Sequence, residues 1–225
     1  MRMPEMMAAA IDGPVGAGKS SIARAAAKRL GFVYVDTGAL YRAVGLYCKR
    51  KGADLSCHEA VAALLPEIQP EIRLIEGTQH IILNGEDVSA EIRLPEISMA
   101  ASAVSSVPEV RAALLGMQRS VAEQNNVIMD GRDIGTVVLP NARVKIFLTA
   151  SPEIRAKRRY DELCAKGVST TFDEVLADLN KRDYDDSHRA VAPLRRADDA
   201  VVADTSQLDF EQSCELVCNI IKEKL

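Results

Sequence analysis

The sequence predicts an α/β fold in which a parallel β-sheet is covered by helices on both faces. Two observations carry the prediction. Five short apolar runs, at 7–11, 33–35, 127–129, 144–148 and 200–203, are continuous rather than alternating, as in strands buried on both faces. Helical patterns separate most of these runs, and strand alternating with helix is the signature of a parallel sheet. A chain of 225 residues holds one sizeable core and leaves room for a small insertion.

The first run, "MAAAID", leads into "GPVGAGKS", Gly13 to Ser20, which satisfies G-x-x-x-x-G-K-[ST]. An amphipathic helix follows, with Ile22, Ala26 and Leu30 at four-residue spacing. Strand, loop and helix in this order make a phosphate cradle, the P-loop. Gly13, Gly16 and Gly18, with Pro14, Val15 and Ala17 between them, let backbone N–H groups turn toward a phosphate, and the helix N-terminus at Ser20 and Ser21 adds its positive end. Lys19 reaches the β- and γ-phosphates, and the Ser20 hydroxyl ligates Mg²⁺. The expected ligands are therefore ATP and Mg²⁺.

The second run ends in "DTGALYR", where Asp36 and Thr37 close the strand and Arg42 lies one helical turn on. Ligands of open parallel sheets bind at this carboxyl end, although helix capping by Asp36 or Thr37 explains the same residues. Helix starts are expected at Ser56–Glu59 and Ser106–Glu109, both of which fit the capping box. Between about residues 69 and 105 the rhythm breaks. Short strand-like runs split by Gly77 and by Asn84–Gly85 predict a β-hairpin plus helix inserted in the parallel fold. On the helix after Ser106, Arg111 lies at the edge of the apolar positions Val110, Leu114 and Val121.

The third run opens "VIMDGRDIGTVVLP", with Asp130, Arg132 and Asp133 at the strand end. After the fourth, Ser151 and Pro152 supply a cap and a first-turn proline for "PEIRAKRRYDELCAKG", where Arg155, Arg158, Arg159 and Glu162 share a face. These charges fit either solvated i,i+4 pairs or a cationic flap over transferring phosphates. Thr171–Glu174 starts the next helix, whose apolar face is Phe172, Val175, Leu176 and Leu179. Arg182, Asp186 and Arg189 border that stripe, placed either for a salt-bridged surface or for an inward site. The same helix contains "NKRD", Asn180 to Asp183, a match to the guanine-reading pattern N-K-x-D. Guanine reading belongs just after a buried strand, and no D-x-x-G occurs in the chain, so a GTPase is not expected.

Composition narrows the function classes. A net charge of −4 gives no overall attraction for nucleic acid or an anionic membrane. No apolar stretch approaches the ~20 residues of a membrane span, and "MRMPEMMAAAI" lacks a signal peptide's features, so a cytoplasmic protein is expected. The five cysteines are scattered without a C-x-x-C pair, and Cys214 and Cys218, four apart on a helix, read as core residues. His58, His80 and His188 are equally dispersed.

"DGPVGAGKS", "DTGALYR", "DGRDIGTVVLPNARVKIFL" and "RDYDDSHRAVAPL", in this order and spacing, resemble the bacterial cytidylate (CMP/dCMP) kinases over essentially the whole chain. The resemblance implies a CORE with a five-stranded parallel sheet, an NMP-binding insertion near 69–105 and an arginine-bearing LID near 153–170. It implies transfer of the γ-phosphoryl group of ATP to CMP or dCMP by a monomer acting on free nucleotides. It places Ser102, Arg111 and Asp133 around the cytosine, Arg42, Arg132 and Arg182 on the acceptor phosphate, and Thr37, Asp186 and Arg189 near the ribose and α-phosphate. Thr37 departs from the serine common in relatives and keeps the hydroxyl. Arg158 and Arg182 are expected to meet the transferring phosphoryl group, with Arg159 on the donor side. Asp36 is a candidate helper on the acceptor side, and Asp130 a candidate water-mediated magnesium partner. Base choice also follows from chemistry, because a carboxylate suits cytosine's N4–H₂ donor and opposes uracil's carbonyl. The rival readings are a P-loop kinase for UMP, shikimate or the dephosphorylated coenzyme A precursor, and a nucleotide-dependent switch or nucleic-acid-binding module.

Overall fold

The structure, a computed structural model, describes residues 6–224. The N-terminal stretch examined for a signal peptide begins at Met1, and its first five residues lie outside the described residues. Strands β1 (Ala8–Asp12), β2 (Val33–Asp36), β6 (Val127–Gly131), β7 (Val144–Thr149) and β8 (Val201–Asp204) form one five-stranded sheet in the order β2-β6-β1-β7-β8. All five coincide with the apolar runs, and β1, β7 and β8 pair in parallel, Ile11 beside Ile146 and Leu148 beside Ala203. The fold class is therefore the expected one. Ala9, Ala10 and Ile11 of β1 and Ile128 and Met129 of β6 are fully buried, whereas β7 alternates, with Val144, Ile146 and Leu148 buried and Lys145, Phe147 and Thr149 half-buried.

The chain divides into two compact units, Val33–Val127 and Met7–Phe32 with Ile128–Leu225. In the first, α2 (Gly38–Arg50) packs on α4 (Pro95–Val104) so closely that a Cβ on Gly45 would stand 2.9 Å from the Ala100 Cβ. Leu40, Val44, Val104 and Leu114 are among its buried core, with α3 (His58–Leu64) and α5 (Pro108–Gln124) completing the helices. The broken rhythm after Gln69 resolves into β3 (Pro70–Ile75), β4 (Thr78–Leu83) and β5 (Glu86–Asp87), an antiparallel sheet. Its turns are Glu76–Gly77 and Asn84–Gly85, every φ positive, the backbone that two-residue hairpins need.

In the second unit, α1 (Lys19–Leu30) packs on α8 (Phe210–Lys222), and α6 (Pro152–Ala165) on α7 (Phe172–His188). Cys214 and Cys218 are buried in α8 as expected. Helix starts were partly legible. Thr171 and Glu174 form a reciprocal capping box, and Ser151 accepts from the Ile154 N–H. Ser56 and Ser106 do not cap. Ser56 gives its N–H and hydroxyl to Asp54, so α3 starts behind Cys57, and the Ser106 hydroxyl donates to the Ala103 carbonyl at 2.7 Å, closing α4 instead of opening α5. Asp209 and Gln212 supply a capping box that the sequence reading missed. Among the described residues, no helix is long and apolar enough to cross a membrane.

Candidate active site

The phosphate loop joins β1 to α1. A Cβ on Gly13 would lie 2.0 Å from the Leu148 carbonyl oxygen, so only glycine lets the loop leave the sheet there. Gly18 is the N-cap of α1, in left-handed geometry, and gives the first helical N–H groups no side-chain acceptor. That leaves a concentration of donors suited to an anion. Lys19 is buried, and its Nζ donates to the Pro14 carbonyl at 2.6 Å. Burial, then the positive charge of Arg132, pushes its pKa down to about 7, against the pull of Asp130, Asp186 and Asp12.

Two carboxylates stand beside the loop. The Ser20 hydroxyl donates to Asp130 Oδ2 at 2.9 Å, bringing the start of α1 and the end of β6 together. Among the described residues, no three His, Cys, Asp or Glu side chains gather as a metal cage. Mg²⁺ bound with phosphate oxygens and water needs only one or two protein oxygens, and Ser20 with Asp130 fits that demand. Asp12, which the sequence reading did not single out, accepts the N–H groups of Ile134 and Gly135, each at 2.7 Å. Burial raises its pKa to about 6 despite these two bonds. It thereby ties the strand before the loop to the π-turn Ile134–Val138 that follows Asp133.

Three of the predicted acceptor-side arginines are found with carboxylates or beside them in this unit. Arg132 donates from Nε to Asp186 Oδ2 at 2.8 Å. Burial opposes its charge, but Asp186, Asp130 and Asp183 outweigh that and hold its pKa above the ordinary value. Arg189 donates from Nη2 to Asp133 Oδ1 at 3.3 Å and from Nε to the Ala192 carbonyl at 2.6 Å. The half-buried Arg182 side chain makes no hydrogen bond or ion pair among the described residues. Burial and the charge of Arg132 lower its pKa, although Asp178 and Asp186 pull the other way.

A cavity of about 390 Å³ opens beside the loop, lined by Gly16, Gly18, Ser21, Arg158, Arg159 and Phe210 among others. Arg158 is held there by the Thr205 hydroxyl and the carbonyls of Thr205 and Leu208, and Arg159 pairs with Glu162 at 2.8 Å. Arg155, on the same helix, turns instead to the buried side: it reaches the Val15 carbonyl at 2.8 Å and Asp183 at 2.5 Å. Arg155 therefore does not share the face expected of it with Arg158, Arg159 and Glu162, and Asp183 was expected only as part of the N-K-x-D match. "NKRD" lies within α7, where Asp183 accepts the Val15 N–H at 3.1 Å.

The remaining predicted residues lie in the first unit. Asp36 accepts the Ala39 N–H at 3.2 Å and forms a short ion pair with Arg42, so it both caps α2 and orients the arginine. Arg42 Nε is buried without a partner among the described residues. Thr37 is buried at the N-cap position of α2 without a side-chain capping bond. Gln79 on β4 brackets the Asp36 backbone through two hydrogen bonds, a positioning contact that no local sequence pattern marks. Arg111 is buried, its guanidinium carbon 5.5 Å from the Tyr41 ring centroid, and it donates to the Ser105 carbonyl at 3.4 Å. Ser102 is half-buried on α4, one turn before that carbonyl.

Comparisons with known proteins agree with this arrangement. The sequence model of the family described as Cytidylate kinase matches residues 9–223. A cytidylate kinase of Caldicellulosiruptor bescii is 48% identical over 211 residues, covering 94% of this chain and 93% of that protein. One from Syntrophotalea carbinolica is 46% identical over 224 residues, covering 99% and 94%. An uncharacterized protein from Eubacterium ventriosum shares the fold, with a TM-score of 0.54 at 11% identity over 96% of this chain and 99% of that one. With the phosphate loop, Asp12, Asp130 and Arg182 in one unit, and near-complete coverage by these relatives, the chain belongs to the cytidylate kinase family.

Proposed function

We propose a residue-by-residue assignment for the (d)CMP kinase that family membership establishes, an enzyme that moves the γ-phosphoryl group of ATP to CMP or dCMP and releases ADP with CDP or dCDP. The observation that carries the assignment is the convergence in one unit of Lys19, Ser20 and Asp130 with Arg132 and an Arg182 that makes no hydrogen bond or ion pair among the described residues. A half-buried guanidinium without a bonded partner is stabilised by an anion.

On the donor side, residues 13–21 cradle the phosphates of ATP, with Arg158 and Arg159 lining the adjoining cavity. Ser20 would hold Mg²⁺, with Asp130 behind it through water, and the ion when bound would neutralise charge on the phosphate oxygens. On the acceptor side, Arg42, Arg132 and Arg182 bind the phosphate, Asp186 and Arg189 with Thr37 serve the ribose and α-phosphate, and Ser102, Arg111 and Asp133 read the cytosine. Asp36 orients Arg42 rather than touching substrate. Lys19, Arg158 and Arg182 stabilise charge on the phosphoryl group in flight, and positioning accounts for most of the rate because little covalent work falls to the protein. Arg158 must leave its carbonyl partners to do this, a movement in keeping with a LID at 153–170, with 69–105 as the NMP-binding part and the remainder as CORE. The enzyme acts on free nucleotides in the cytoplasm, a reading supported by the acidic balance of the chain, and as a monomer, a reading that rests on the family resemblance alone.

ADP release measured across CMP, dCMP, UMP and shikimate tests this reading. Fast release with CMP or dCMP and slow release with the others is expected. Equal rates with CMP and UMP would remove the base-reading assignment, and acceptor-independent hydrolysis that responds to guanine nucleotides would favour a switch.

A further inference from the structure

Val15 is held from three directions by elements outside the phosphate loop. Its N–H donates to Asp183 Oδ1 on α7 at 3.1 Å, and its carbonyl accepts from Arg155 Nη1 on α6 at 2.8 Å. Its side chain packs on the apolar cluster of Ala156, Val175 and Leu179 from the same two helices. Arg155 and Asp183 are themselves an ion pair at 2.5 Å, with side chains only 5% and 21% exposed, and Arg155 Nε is fixed by the Ala150 carbonyl at 2.9 Å. The next residue is equally constrained, since a Cβ on Gly16 would meet the Arg155 Cβ at 3.3 Å and Leu179 at 3.5 Å. The loop backbone therefore rests directly on the α6–α7 pair.

We propose that Arg155 and Asp183 are positioning residues for the donor triphosphate, clamping both polar groups of Val15 so that the N–H groups of the following residues already face the phosphates before ATP arrives. The physical reason is entropic. A glycine-rich loop loses backbone entropy for each residue fixed on binding, and fixing it in the free protein removes that cost from the binding step. The Val15 N–H is occupied by a carboxylate and so is not itself a phosphate donor. Because Asp183 follows Arg182 on α7, the clamp also sets the donor loop against the helix assigned to the acceptor phosphate, and in that respect it rests on the assignment above.

The test is binding of a non-hydrolysable ATP analogue and of CMP, measured separately by calorimetry on the whole chain and on Asp183→Asn, Arg155→Lys and the double variant. Asparagine has one acceptor oxygen where aspartate offers two, and lysine lacks the fork that reaches Ala150, Val15 and Asp183 together. The expected result is about tenfold weaker binding of the ATP analogue in each single variant, CMP binding within about twofold, and a double variant no weaker than the poorer single one. Unchanged ATP-analogue affinity, or equal weakening of both ligands, overturns the clamp, the second outcome marking a merely structural role. If Arg155→Lys fails to fold, Asp183→Asn decides alone, since Asp183 is the more exposed partner. Failure of the unmodified chain to release ADP with CMP would instead overturn the acceptor assignment, so the two failures are told apart.

Discussion

Arg132 and Asp186 form an ion pair at 2.8 Å whose side chains are 24% and 14% exposed, joining the turn after β6 to α7. The carboxylate stabilises the guanidinium in a place where burial disfavours charge. Asp186→Ala leaves that charge without its main partner, at an expected cost of about 1–3 kcal/mol measured by urea unfolding. Added inorganic phosphate should recover more stability in this variant than in the unmodified chain, because it replaces the missing anion without needing the ribose contact that Asp186 is assigned. Arg132→Met should raise the KM for CMP by about 10- to 100-fold with little change for ATP. A rise confined to ATP would place Arg132 on the donor side.

Lys19 has a pKa lowered to about 7, first by burial and then by Arg132. For a lysine with a depressed pKa, the native state binds fewer protons than the unfolded chain between about pH 7 and the ordinary value near 10.5. The charged lysine therefore costs stability below pH 7, and this cost is relieved as pH rises through that window. A triphosphate restores the proton, so ATP binding at pH 8 should be accompanied by proton uptake, visible as a binding enthalpy that varies with the ionisation enthalpy of the buffer. Lys19→Met should abolish the uptake and most of the turnover while raising the urea midpoint of the ligand-free protein at neutral pH. Proton release on binding would contradict the sign.

What the sequence revealed and what it hid divide by distance along the chain. The phosphate loop was legible because eight contiguous residues carry its chemistry, and the strands because each is a short apolar run, although only β1, β2 and β6 owe theirs to burial on both faces, β7 being alternately buried and β8 largely exposed. The turns at Gly77 and Asn84–Gly85 were legible for the same local reason. Asp12, Arg155 and Asp183 were not, since each acts on a backbone group 122 to 168 residues away, and no local pattern marks a carboxylate that will meet a distant N–H. The two misplaced caps have a local cause. Ser56 and Ser106 each had a closer partner, Asp54 and the Ala103 carbonyl, than the helix they precede. Arg182 and Arg189 read equally as surface or site, because nothing local to their segment marks the nearness of Arg182 to Arg132 or the pairing of Arg189 with Asp133.

Asp12 has a pKa raised to about 6 by burial, above an ordinary value of 3.8. Between those values the folded protein holds a proton that the unfolded chain has released, so stability falls as pH rises through the window. The charged carboxylate costs the fold about 3 kcal/mol at neutral pH relative to an unshifted group. Asp12→Asn removes the slope, and it also leaves the Ile134 or Gly135 N–H without an acceptor, a cost of ~1–3 kcal/mol in the opposite direction. Urea unfolding from pH 4.5 to 7 should thus show a declining stability component that is missing in Asp12→Asn, with similar stability for the two proteins at pH 7. An identical slope in both would assign the titration to another group.

Asp133 is 7% exposed at its side chain and paired with an equally buried Arg189 at 3.3 Å, so its carboxylate has its charge balanced before any base arrives. A second lone pair facing the cytosine amine would be satisfied by N4–H₂ and opposed by the carbonyl of uracil. Asp133→Asn keeps the shape but offers an amide that can donate as well as accept, so the preference for CMP over UMP in kcat/KM should narrow by about tenfold or more. Asp133→Ala should raise the KM for CMP by about 100-fold and leave the KM for ATP within about twofold. Loss of the charge opposite Arg189 also destabilises the alanine variant, which is why the asparagine variant is the cleaner probe of base choice. An unaltered CMP-to-UMP ratio in Asp133→Asn, with the protein folded and ATP binding intact, would remove Asp133 from the base-reading site and leave it as the counter-charge of Arg189 alone.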